Sequence, residues 1–128
     1  MNIDGNKIIV NKSKSEIITF LTSIENFEKL MPEGTKFEVL GNDIFLFALK
    51  GMPEIKLKLQ EQTENKVVLG AASDKIPFTL IVNLNKIEDN KTEAQLNFEG
   101  SFNPMMTMMV KGPITKFVGQ LTEKLSYI

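Results

Sequence analysis

The sequence predicts an α+β fold in which an antiparallel sheet is covered on one face by a long C-terminal helix. Three observations carry this. From Asn103 to Tyr127 apolar residues recur at helical spacing, through Met106, Val110, Ile114, Phe117, Leu121 and Leu125. From Thr35 to Phe102 the apolar period is two instead, as in strands with one buried face. That sheet is apolar on one side and charged on the other, so a single cover suffices, and the last helix is the element available to supply it.

The chain opens on a strand over residues 3–12, with Ile8, Ile9 and Val10 as its apolar part. Ser13 or Ser15 can cap a short helix burying Ile17, Ile18, Phe20 and Leu21, and Glu16, at capping-box spacing from Ser13, supports that start. A second short helix from about Ile24 to Leu30 presents Phe27, Leu30 and Met31 before Pro32 stops it and Pro32-Glu33-Gly34 turns the chain. Six strands follow. Phe37 and Val39 alternate up to Gly41-Asn42-Asp43, and Phe45, Phe47 and Leu49 run to Gly51-Met52-Pro53. Ile55-Lys56-Leu57-Lys58-Leu59 is the cleanest alternation in the chain. After the turn Glu64-Asn65-Lys66 comes a short strand of small residues, Val67 to Ala72. Ile76–Ile87 and Thr92–Phe102 form the last hairpin, about Glu88-Asp89-Asn90-Lys91. Short turns make consecutive strands antiparallel. In the final helix Asn103 is the cap, Pro104 suits the first turn, and Gly112-Pro113 predicts a kink or a weakened turn.

At 128 residues the chain is expected to be one domain, residues 1–128, and it is long enough to bury a core. Hydrophobic and charged contents of 42% and 24% are those of a soluble globular protein. The net charge of −1, with 15 lysines and no arginine, argues against nucleic acid as a partner. Cysteine and histidine are absent, which excludes disulfides, thiolate nucleophiles, Cys/His zinc sites and a histidine general base. No cofactor and no metal is implied. The N-terminus has no long apolar stretch and no segment approaches a membrane span, so a cytoplasmic location without stable membrane insertion is the expectation.

Three stretches carry a resemblance. Phe20-Leu21 followed by Phe27-Glu28-Lys29-Leu30-Met31-Pro32 resembles paired short helices closing on a leucine-x-proline turn. The alternating strand after Gly51 leads to Ala71-Ala72-Ser73, and an apolar helix follows Gly100-Ser101-Phe102. With the element order, these resemble the helix-grip fold of the START-like (SRPBCC) superfamily, which includes birch-pollen-allergen-like proteins, polyketide cyclases and one family of carbon-monoxide-dehydrogenase subunits. The resemblance spans nearly the whole chain. It implies a sheet of about seven strands, curved around the long helix, with a cavity between the two that suits lipids, polyketides or other apolar molecules.

Phe45, Phe47, Phe78 and Phe98 fall on alternating strand positions and should face inward, with Leu57, Leu80 and Leu96 on the same face. They either fill a packed core or line a cavity, and the two cases look alike in sequence. Phe117 belongs to the apolar stripe of the helix. Pro113 leaves the carbonyl of Met109 without its helical donor, open to a ligand hydroxyl or simply the site of a bend. Met105, Met106, Met108 and Met109 cannot all face one side of a helix. Met105 and Met109 are candidates for an adaptable ligand wall, or the cluster is a contact between two copies of the chain. Met52 could plug a cavity entrance or be one exposed side chain in a strand connection. Asp74 is a possible acid at a cavity mouth or an ordinary turn carboxylate. No catalytic constellation stands out.

The resulting expectation is non-catalytic binding of a small hydrophobic molecule between sheet and helix. The ligand-binding set is Phe45, Phe47, Leu57, Phe78, Leu80, Leu96, Phe98, Met105, Met109, Pro113 and Phe117. One alternative is an enzyme of the polyketide-cyclase type, which needs an inward titratable group. The other is an interaction module with a filled core that forms a homodimer through the Met-rich helix start.

Overall fold

The computed structural model of the protein describes residues 1–49, 54–72 and 78–128. Among the described residues eight strands form one antiparallel sheet: β1 (Asn2–Asp4), β2 (Ile8–Val10), β3 (Lys36–Val39), β4 (Ile44–Ala48), β5 (Ile55–Gln62), β6 (Lys66–Ala71), β7 (Phe78–Glu88) and β8 (Lys91–Gly100). Helices α1 (Lys14–Thr22) and α2 (Phe27–Leu30), bridged by a 3-10 turn at Ile24–Asn26, precede β3, and α3 (Pro104–Leu125) ends the chain. The sheet order is β1-β8-β7-β6-β5-β4-β3, with β2 also paired to β8.

Strand count exceeds the expected seven because the opening strand is two. Gly5 separates them: its N–H donates to the Leu96 carbonyl at 2.8 Å while the chain passes close over α3. β1 aligns Ile3 with Phe98, and β2 aligns Ile8 with Ala94 and Val10 with Thr92. β8 ends at Gly100 rather than running to Phe102. The connection around Gly51-Met52-Pro53, the Ser73-Asp74-Lys75 turn and the start of the strand expected from Ile76 lie outside the described residues.

Alternation along the strands sets what the sheet buries. In β5, Ile55 and Leu57 are buried while Lys56 and Lys58 are exposed. In β7, Phe78, Leu80, Val82 and Leu84 point inward, opposite Phe98, Leu96 and Ala94 of β8. On the outer face Asn83 donates to Asn97 at 2.7 Å, and Asn97 donates to Asp4 at 2.6 Å, so side-chain amides tie β7, β8 and β1 together. Register shifts after Leu59 in β5 and after Lys86 in β7 mark bulges, which bend a strand and increase its twist.

Both predicted helix caps form. The Ser13 hydroxyl accepts the Glu16 N–H at 3.1 Å and the Glu16 carboxylate accepts the Ser13 N–H at 3.2 Å. The Asn103 side chain accepts the Met106 N–H at 2.8 Å. Ile17, Ile18 and Leu21 of α1 are buried, whereas Phe20 is only half-buried, with the Lys29 ammonium 5.9 Å above its ring. Helix α3 runs uninterrupted through Gly112-Pro113. Its buried side carries Val110, Ile114, Phe117, Val118, Leu121 and Leu125, which share one core with both short helices and the inner face of the sheet.

Candidate functional site

The inner face of the sheet brings most of the expected ligand residues together. Phe45 and Phe47 of β4 are fully buried, as are Leu57, Leu80, Leu96, Phe98 and Phe117 to within a few per cent, and Phe78 nearly so. Their rings fall into two groups. Phe27, Phe37, Phe45, Phe47 and Phe117 form a continuous aromatic path from α2 and β3 to α3. Phe47 and Phe117 are its closest step, stacked with centroids 4.9 Å apart. The second group is Phe78, Phe98 and Phe102, joined at 5.0 and 6.2 Å. Aromatic pairs at these separations bury large apolar area in a defined geometry.

One groove opens onto the first aromatic group. It has a volume of about 370 Å³ and lies between α3 and the connection from α2 to β3, lined by Pro32, Glu33, Gly34, Thr35, Leu49, Pro113, Lys116, Phe117 and Gln120. Phe117 therefore has two sides: one packs on Phe47, the other forms the groove floor. Gly34 makes the turn possible, since its φ of 82° is a conformation side chains rarely adopt. Pro113 places a ring without an N–H at the opposite wall. Leu49, Pro113 and Phe117 give the groove its apolar lining, and Glu33, Thr35, Lys116 and Gln120 give it a polar one.

Two other hollows contain none of the expected residues. One, about 420 Å³, lies between Lys12, Phe20, Lys29, Leu30, Lys124, Tyr127 and Ile128. The other is larger, about 650 Å³, and sits between α1 and the β5–β6 turn, where Lys14, Ser15, Ile18, Thr19, Gln62, Thr63 and Glu64 line it.

The methionine cluster divides. Met106 is half-buried against the core, while Met105, Met108 and Met109 are 74%, 85% and 66% exposed. Met105 and Met109 thus stand apart from the interior that holds Phe45, Phe47 and Phe117. Met52 and Asp74 lie outside the described residues. Sequence reasoning missed Pro32, Thr35, Leu49, Lys116 and Gln120 as groove residues. The Pro32-Glu33-Gly34 turn was readable, but its juxtaposition with a helix some eighty residues later had no local signal.

Among the described residues the buried polar side chains are Thr92 and Thr122. Both hydroxyls donate to main-chain carbonyls at 2.7 Å, Thr92 to Lys12 and Thr122 to Val118. Also among the described residues, no group of three or more Asp or Glu is placed to hold a metal ion.

No protein-family model and no curated protein matches this sequence. Solved structures do. A norcoclaurine synthase point mutant from Thalictrum flavum, in complex with a transition-state analogue, superposes with a TM-score of 0.73 at 15% identity, over 99% of this chain and 92% of that one. A START superfamily protein from Mycobacterium smegmatis gives 0.69 at 12% identity, over 98% and 94%. The Aha1 dimer from Colwellia psychrerythraea gives 0.60 at 15% identity, over 91% and 90%. At these identities the likeness is one of fold. The protein has the START-like helix-grip fold, an α+β architecture in which an antiparallel sheet holds a long C-terminal helix.

Proposed function

We propose that this protein binds a small apolar molecule between the sheet and α3, entering by the groove at Pro113 and Phe117, and carries it without chemical change. The observation that supports this most directly is the position of Phe117, which connects an open groove to the aromatic path through Phe47 and Phe45. In this reading Leu49, Pro113 and Phe117 touch the ligand first. Phe45, Phe47 and Leu57 form the wall behind them, and Phe78, Leu80, Leu96 and Phe98 form the far wall. Met105 and Met109 lie outside this path. Affinity would come mainly from apolar burial, about 25 cal/mol per Å² before the costs of immobilisation.

Binding is preferred to catalysis because, among the described residues, the buried polar side chains are two threonines already committed to main-chain carbonyls. A cyclase-type mechanism calls for a titratable group facing the ligand. That one superposing structure is an enzyme holding a transition-state analogue shows that the fold accommodates catalysis, not that this chain performs it.

Native mass spectrometry of the purified protein, followed by denaturing extraction, tests the reading. The expected result is a co-purified apolar molecule near unit stoichiometry. Gln120→Trp, which places an indole in the groove, should lower occupancy about tenfold, the effect of roughly 1.4 kcal/mol. Lys56→Ala, on the outer face of the sheet, should leave it unchanged. Equal loss from both variants, with the fold intact by circular dichroism, would remove the ligand from this groove.

A further inference from the structure

We propose that the exposed methionine face at the start of α3 docks on an anionic lipid surface. Met105, Met108 and Met109 share one helix face with Gly112 and Lys116, at the spacing that stacks side chains on consecutive turns. All three methionines project into solvent although Met106, between them, packs inward. Together they make an exposed apolar patch, and the largest such patch on a monomer is often functional. Unbranched thioether chains suit insertion among acyl chains, because they adapt to an irregular apolar surround.

Charge selects the partner. From Pro104 to Thr122 the helix carries Lys111 and Lys116 and no carboxylate, in a chain whose net charge is −1. Both lysines are exposed. Along the chain the flanking acids are Glu99, five residues before Pro104, and Glu123, about four helical turns beyond the methionines, and Glu33 lines the groove with Lys116. An apolar tip with a basic collar fits a negatively charged headgroup layer, with the methionines in the acyl boundary and the ammonium groups at the phosphates. A second copy fits less well. Three side chains fall short of the ~20–30 residues a side of a standard interface, and a two-fold contact through them would set Lys111 and Lys116 near their own copies.

No described helix is long and apolar enough to cross a membrane, so the contact proposed is peripheral and reversible. It does not depend on a ligand in the groove. The two features are nonetheless adjacent: Met105, Met109, Pro113, Lys116 and Gln120 follow one edge of α3, and the last three line the groove. Docking by the methionines would turn that opening toward the lipid.

Flotation with phosphatidylcholine vesicles, with and without phosphatidylglycerol, provides the test, using the full chain as purified. Binding is expected only to the phosphatidylglycerol vesicles, and it should weaken as salt is raised. Lys111→Gln with Lys116→Gln should lower partitioning by roughly an order of magnitude. Met105→Ser, Met108→Ser and Met109→Ser together should lower it at least as far. Because all five side chains are exposed, unchanged thermal melts should accompany both losses. Failure to bind either vesicle, or binding that neither variant set alters, would overturn the proposal. So would a concentration-dependent dimer abolished by the methionine substitutions, which would make the face a contact between copies.

Discussion

At the scale of single residues, Gly5 and Ser13 show how much one position can determine. A Cβ built on Gly5 would lie 2.9 Å from the Thr122 hydroxyl, 3.1 Å from the Leu96 carbonyl and 3.2 Å from a Val118 methyl. The Leu96 carbonyl belongs to the sheet and cannot move aside, so Gly5→Val should cost about 2 kcal/mol, read as a lower urea midpoint at unchanged slope. The Ser13–Glu16 box makes a gentler prediction: Ser13→Ala should destabilise by about 1 kcal/mol. The Glu16 carboxyl is held below its usual 4.5, chiefly by the Ser13 N–H it accepts, then by the Ser13 hydroxyl and the charge of Lys12. A pKa depressed by folding gives a contribution present above 4.5 and lost as pH falls through the lowered value. Glu16→Gln should therefore flatten that part of the acid limb of a stability-against-pH curve and leave the alkaline limb alone. The capping box was readable because its partners are three residues apart. The role of Gly5 was not, since its neighbours come from β8 and α3.

At the scale of elements, α3 holds two opposed requirements. Its apolar stripe was legible from Met106 to Leu125, and that stripe is what the sheet covers. Val118 and Thr122 widen the buried side beyond the pattern, because β1 and β8 wrap the last turns on that flank and the Thr122 hydroxyl satisfies itself on Val118. Pro113 was read as a kink or a weakened turn, and the helix continues through it. Packing of Val110, Ile114 and Phe117 on either side outweighs the missing hydrogen bond. Replacing the proline restores that bond, so Pro113→Ala should raise stability by about 1 kcal/mol, less than the full ~3 kcal/mol helix penalty because the local backbone is already adapted. The same change removes a ring from the groove wall, so ligand occupancy should fall while the melting temperature rises. A rise or fall in both together would show that Pro113 has no separate role in the groove.

At the scale of the whole molecule, the inner and outer faces of the sheet were set by alternation, and so the core was legible almost residue by residue. What alternation could not supply was depth. Phe45, Phe47, Phe78 and Phe98 were placed on the correct face, but a packed interior and an open one demand the same residues, and the groove depends on how α2, β3 and α3 meet. Stability should also be unevenly distributed. β7 and β8, eleven and ten residues long, lie inside the sheet, while β3 is a four-residue edge strand with three exposed positions. Native-state hydrogen exchange should accordingly be slowest in β7 and β8, approaching the global unfolding free energy, and fastest in β3. Uniform protection across all three would contradict this order.

The division of the opening strand at Gly5 has a further effect, on what the protein avoids. A sheet edge is a template for pairing with another chain. Here one margin is split into β1 and β2, three residues each, and the other is β3, with Lys36 and Glu38 on its outer face. Neither margin presents the uninterrupted run of free backbone that edge-to-edge aggregation requires. An almost neutral chain can thus keep a wide sheet in solution without recruiting copies of itself into a growing ladder.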